Sequence, residues 1–115
     1  MLGDLNEGQP AIDQPPPSLA DLFDPAGQLI SCYDLPSFEV GSKLGTFAPC
    51  GLDNRLDYIL LSRSLQPFFL GGRVFRKGVW GDRVTRPTTW ETYPEMTESV
   101  HQASDHAAVV VQLDL

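Results

Sequence analysis

The segment Arg55–Ser62 constrains the fold more than any other. Leu56, Tyr58, Ile59, Leu60 and Leu61 make it apolar on both faces. It therefore predicts a strand lying centrally in a sheet that is covered on both sides. Asp57 interrupts the apolar run. An unpaired carboxylate in such a strand costs roughly several kcal/mol. Asp57 needs a partner, and His106 is the best candidate. A carboxylate that holds one imidazole nitrogen fixes the tautomer and stabilises the charged ring.

His106 stands in the stretch Ser104–Leu115, where an acid and a histidine precede an apolar run. Val109, Val110 and Val111 are β-branched, and the run has the length of a strand. It predicts a terminal strand buried on both faces. Taken alone, Asp105 and His106 read as a solvated cap of that strand. The company of the other motifs shifts the reading towards function.

The rest of the chain reads as short elements. Leu2 and Leu5 suggest the end of a strand, with Gly3, Asp4 and Asn6 in the turn that leaves it. Residues 9–17 form a loop ending in three prolines. Ser18 is the expected cap of a short helix that carries Leu19, Leu22 and Phe23 on one face and closes at Pro25 and Gly27. Leu29 to Tyr33 is a further helical turn, with Leu29, Cys32 and Tyr33 facing inward. Gly45–Ala48 is a short strand stopped by Pro49, and Gly51–Asn54 is a turn. Ser64 caps a second short helix running through Leu70, which Gly71 and Gly72 end. Arg73–Trp80 is a strand near a sheet edge, because Arg76 and Lys77 interrupt it. Gly81 to Ala103 is a long polar loop.

Ten prolines and ten glycines in 115 residues exclude a long helical bundle. The length suits one domain with a modest core. A net charge of −7 argues against non-specific binding to nucleic acid, which needs a basic surface. It leaves room for a phosphate substrate, since a divalent cation reverses the local sign. Cys32 and Cys50 are too few for a disulfide scaffold and lack metal-ligand spacing. No basic and apolar leader opens the chain, and no apolar run approaches the ~20 residues of a membrane span. The chain reads as cytoplasmic, although a longer, secreted parent is compatible with it.

Three short acidic motifs stand out: Gly3-Asp4-Leu5-Asn6, Arg55-Leu56-Asp57-Tyr58 and Ser104-Asp105-His106. Asp4 supplies a hard oxygen ligand or a base, and Asn6 a neutral hydrogen-bonding group. With Asp57 and His106 this set suits metal-assisted attack of water on a phosphoester. The bland alternative for Asp4 and Asn6 is turn chemistry. For Asp57 it is a structural buried pair. His101 reads as a solvated loop residue. Trp80, Trp90 and Tyr93 read as core packing in preference to a substrate edge. Arg83 and Arg86 read as surface charges in preference to phosphate ligands.

In this order, the three motifs resemble those of the C-terminal half of the endonuclease/exonuclease/phosphatase superfamily. That group includes DNase I, exonuclease III, abasic-site endonucleases, inositol polyphosphate 5-phosphatases and bacterial sphingomyelinases. The first motif is similar to its Gly-Asp-Phe/Leu-Asn signature, the second to Arg-Leu/Ile-Asp-Tyr and the third to Ser-Asp-His. The resemblance covers most of the 115 residues. It implies an α+β fold, the C-terminal half of a DNase I-like four-layer α/β sandwich, with a mixed β-sheet and flanking short helices. It implies an Mg²⁺-dependent phosphoesterase, with Mn²⁺ as an alternative ion.

The roles implied are specific. Asp4 orients or deprotonates the attacking water, and Asn6 holds that water or a phosphate oxygen. Asp105, with Asp4, binds the metal or its water shell. His106 hydrogen-bonds the phosphate and stabilises the pentacovalent state, oriented by Asp57. The family's early Asn, its main metal-binding Glu and a further His precede the first of these motifs. Residues 1–115 are therefore expected to be a partial domain, a cut piece of a longer chain or one read from an internal start. Such a piece is expected to be inactive or nearly so alone. It is also expected to self-associate or to take up a complementary N-terminal half, because one sheet of a sandwich leaves an apolar face wet. The alternative reading is a non-catalytic α/β module that acts by association. Neither fold nor site type selects the phosphoester.

Overall fold

The structure, a computed structural model, describes residues 1–23, 28–81 and 85–115. The proposed helix end at Pro25 and Gly27, and Arg83, lie outside the described residues. Among the described residues six strands form two three-stranded sheets: β1 (Leu2–Asp4), β2 (Leu29–Ser31), β3 (Phe38–Glu39), β4 (Asp57–Ser62), β5 (Phe69–Phe75) and β6 (Ala108–Leu113). One sheet has the order β1-β4-β2 and is antiparallel throughout. The other has the order β3-β5-β6 and is mixed, with β3 parallel to β5 and β6 antiparallel to it. Among the described residues every helical element is a short 3-10 turn. The fold is thus a small sheet-rich α+β or mostly-β arrangement. No helix among the described residues is long and apolar enough to cross a membrane.

The central position expected for the Asp57 strand is observed. β4 lies between β1 and β2, and its Tyr58, Leu60 and Leu61 are buried. Burying one such leucine contributes about 1.5–3 kcal/mol. Cys32, Cys50, Val74, Val79, Trp80, Met96 and Ala107 complete the core among the described residues, and Trp90 packs against its Val74–Val79–Ala107 part. Trp80 and Trp90 therefore pack inward, as expected, whereas Tyr93 is exposed and leans on Phe75 at a ring separation of 6.5 Å. Cys32 and Cys50 are both buried thiols.

Several local expectations are corrected. The helix expected from Ser18 is a 3-10 turn over Pro17–Leu22, entered from Pro16, and no side chain caps it. Pro16 holds the approach extended, and the turn begins at Pro17, one residue before the expected cap. Leu29 to Ser31 is a strand paired with β4, and only Cys32–Asp34 turns helically. The helix expected over Ser64–Leu70 shrinks to Gln66–Phe68. Gly71 and Gly72 lie inside β5 instead of ending a helix. A Cβ on Gly72 would sit 2.7 Å from Cδ2 of Phe38, so glycine allows β3 to approach β5. β5 is the middle strand of its sheet, and Arg76, expected to mark an edge, is buried just past its end. The Arg76 guanidinium donates to the carbonyls of Val40, Lys43 and Gly45, at 2.6–2.8 Å, and so gathers the 40–45 loop.

Gly45–Ala48 makes no strand. It contributes one bridge, Phe47 to His106, before positive-φ residues Ala48 and Cys50 turn it away. β6 is not buried on both faces. Its residues alternate between exposed and half-buried, so one of its faces is open. Arg86 is exposed, as a surface charge would be, and it also donates to Thr92 Oγ1 and to the carbonyls of Tyr93, Pro94 and Met96, bracing the long loop.

Candidate active site

The two sheets meet where β4 begins and β6 is about to start. Asp57 is the first residue of β4, and His106 lies two residues before β6. Asp57 Oδ2 and His106 Nδ1 are 2.8 Å apart. That distance is short and charge-assisted when the ring is protonated. Both side chains are largely covered, at 20% and 27% exposure. The hydrogen bond to the Asp57 carboxylate raises the His106 pKa above its usual value, and the nearby Asp4 and Asp105 charges push it the same way against partial burial.

The β1–β4 register places Asp4 directly opposite Asp57. Directly opposed residues of an antiparallel pair share one face, so two carboxylates converge there. One ligand atom each from Asp4, Asp57 and His106 lies within 4.8 Å of the others. Like charges opposed in this way destabilise the pair of strands, and a cation or an imidazolium offsets that. The Asp4 Oδ1 also accepts the backbone N–H of Asn6 at 2.8 Å. This is an Asx-turn, and Asn6 itself sits at φ 54°. Asp4 and Asn6 thus make the expected turn while Asp4 faces the dyad.

Asp105 is exposed, and its carboxylate is not among the three converging groups. Its backbone carbonyl accepts the Ala48 amide at 3.2 Å. Ser104 Oγ accepts the His106 amide at 3.0 Å and so shapes the turn before the imidazole. His101 is exposed, and its Nδ1 accepts the Thr97 amide at 3.2 Å.

A cleft of about 340 Å³ opens over the dyad, lined by Leu2, Gly3, Asp57, Tyr58, Ser104 and His106, with Ala107 to Val109 behind. With Nδ1 committed to Asp57, Nε2 has no hydrogen-bond partner among the described residues. A larger cavity of about 640 Å³ lies elsewhere, between Gln9, Phe23, Ile30, Asp34, Arg63 and their neighbours. It shares no residue with the dyad, so chemistry and cavity size point to different places. The convergence of ionisable groups is the stronger guide to a reactive site.

Sequence reasoning overlooked the residues that hold Asp57 in place. β1 pairs with β4 over Asp57–Ile59 and β2 over Leu60–Ser62, so β2 stops short of Asp57. Tyr33 and Thr46 take its place beside Asp57. The Tyr33 hydroxyl donates to the Asp57 carbonyl at 2.8 Å, and Thr46 Oγ1 accepts the Asp57 amide at 3.2 Å. Burial drives the Tyr33 phenol pKa far upward, so it stays a donor. Arg55 is buried beneath it, its guanidinium 4.1 Å from the Tyr33 ring centre, donating to the Leu44 carbonyl and Gln9 Oε1. Tyr33 was legible as inward-facing. Nothing in local spacing marks Thr46.

Comparison with family models, with curated proteins and with solved structures finds no match for this chain.

Proposed function

We propose that the chain carries part of the active site of a metal-dependent phosphoesterase of the endonuclease/exonuclease/phosphatase type, and that residues 1–115 form part of a DNase I-like sandwich. The observation that carries this reading is the 2.8 Å Asp57–His106 pair with Asp4 converging on it. The three motifs of the sequence supply the two acids and the histidine of that cluster.

The donor set suits a hard divalent cation in its oxygens, and the opposed carboxylates favour one electrostatically. Asp4 is the foremost ligand, with Asp105 adding negative charge at the rim. Held there, Mg²⁺ or Mn²⁺ would supply charge neutralisation for a phosphoester. His106, held by Asp57 through Nδ1, donates from Nε2 to a phosphoryl oxygen. The hydrogen bond to Asp57 favours the charged form of the ring. Asp4 accepts the proton of the attacking water as the new P–O bond forms and the ester P–O bond breaks, and Asn6 helps hold that water. The chain's negative charge favours a small or lipid phosphoester over duplex DNA.

The test is hydrolysis of bis-p-nitrophenyl phosphate with Mg²⁺ or Mn²⁺. The chain is expected to exceed the metal-only rate, slowly. His106→Ala should lower that excess by about 100-fold or to the metal-only rate. Equal rates for the two proteins would remove the catalytic reading. The second reading, association without catalysis, is favoured by the exposed Leu2, Leu70, Val110 and Leu115. It predicts self-association by light scattering together with a rate that His106→Ala leaves unchanged.

A further inference from the structure

Thr46 is completely buried and hydrogen-bonds the backbone of Asp57 and of Ala107, the residue after His106. Its hydroxyl accepts the amides of Leu56 and Asp57 at 3.1 and 3.2 Å and donates to the Asn54 carbonyl at 3.4 Å. One donor and two lone pairs are all a hydroxyl has, so its capacity is used in full. Its backbone carbonyl accepts the Ala107 amide at 2.7 Å, next to His106. The following residue, Phe47, bridges to His106 and packs its ring 4.9 Å from the imidazole. The chain enters this position through Gly45, where a Cβ would lie 1.9 Å from the Gly51 carbonyl oxygen.

The acid and the imidazole thus come from segments 49 residues apart in sequence, and Thr46 is bonded to the backbone of Asp57 and to that of the residue after His106. The side chain fixes the backbone that carries Asp57, and the main chain fixes the backbone that carries His106. Pairs of this kind depend on such supporting contacts, because a displacement of about 1 Å is enough to break a directed hydrogen bond. We propose that Thr46 is a positioning residue that sets the Asp57–His106 hydrogen bond, and with it the tautomer of His106. This rests on the reading of Asp57 and His106 as the working pair.

The experiment uses the metal-free full chain and nitrogen-15 NMR of the histidine side chains. In the unsubstituted protein His106 is expected to carry its proton on Nδ1 when neutral, and to show a low-field, slowly exchanging Nδ1–H resonance. Thr46→Val keeps the shape and removes the hydroxyl. It should lose that resonance and move His106 towards the Nε2–H tautomer usual for free imidazole, while far-UV circular dichroism stays native. Thr46→Ser keeps the hydroxyl and should restore the unsubstituted signature. A folded Thr46→Val protein with the original tautomer overturns the proposal.

Asp57→Asn separates the two levels of the argument. It should abolish the signature whatever Thr46 does. If Asp57→Asn leaves the signature intact, the dyad itself fails, and the functional reading with it. If Asp57→Asn abolishes it and Thr46→Val does not, only the role of Thr46 fails. Should the valine variant not fold, the serine variant and amide exchange decide. The Leu56 and Asp57 amides should then exchange as slowly as the strand amide of Leu60. Fast exchange at those two amides, or loss of the signature in Thr46→Ser, contradicts the proposal.

Discussion

Asp4 and Asp57 face each other across two antiparallel strands, and His106 is the counter-charge that the structure supplies. Its hydrogen bond to Asp57 raises the folded pKa, so the folded state binds the ring proton more tightly than the unfolded chain. That contribution is fully present below the ordinary value of 6.5 and is lost as pH rises through the higher folded value. Urea denaturation should therefore show an advantage of the unsubstituted chain over His106→Asn at about pH 6 that shrinks by about pH 9. An advantage that grows with pH would mean that the ring is held neutral. Arg55 shows a different use of charge. It is buried, stacks on Tyr33 and satisfies its donors on a carbonyl and an amide oxygen, so it braces the base of the site.

At the scale of elements, β4 and β6 illustrate what a sequence pattern can and cannot carry. An apolar run such as Tyr58–Leu61 announces a central strand, and β4 is one. The run Val109–Val111 has the same appearance, yet β6 has an exposed face. Burial depends on what covers a strand, and local composition does not encode the cover. Gly71 and Gly72 look like punctuation but permit close packing against Phe38. The Asp57–His106 contact was legible because a carboxylate in an apolar strand demands a partner. Thr46 was not, because its value lies in three hydrogen bonds to residues 8 to 11 positions away. The two strands should also differ in their response to truncation. Leu60→Ala, at 2% exposure, should cost about 2–5 kcal/mol in chemical denaturation. Val110→Ala, at 46% exposure, should cost about 0.5 kcal/mol or less. Equal losses would mean that β6 is covered in solution.

For the whole molecule, the claim that organises everything else is that Asp57 and His106 act as one unit at the junction of two small sheets. Residues that act as a unit are non-additive: once one is removed, removing the other changes little. The decisive measurement is a double-mutant cycle on metal-supported phosphodiester hydrolysis, comparing Asp57→Asn, His106→Ala and the double variant with the unsubstituted chain. The account predicts that either single substitution lowers the rate nearly as far as both together. Losses that multiply, or a rate in Asp57→Asn equal to that of the unsubstituted chain, would contradict it.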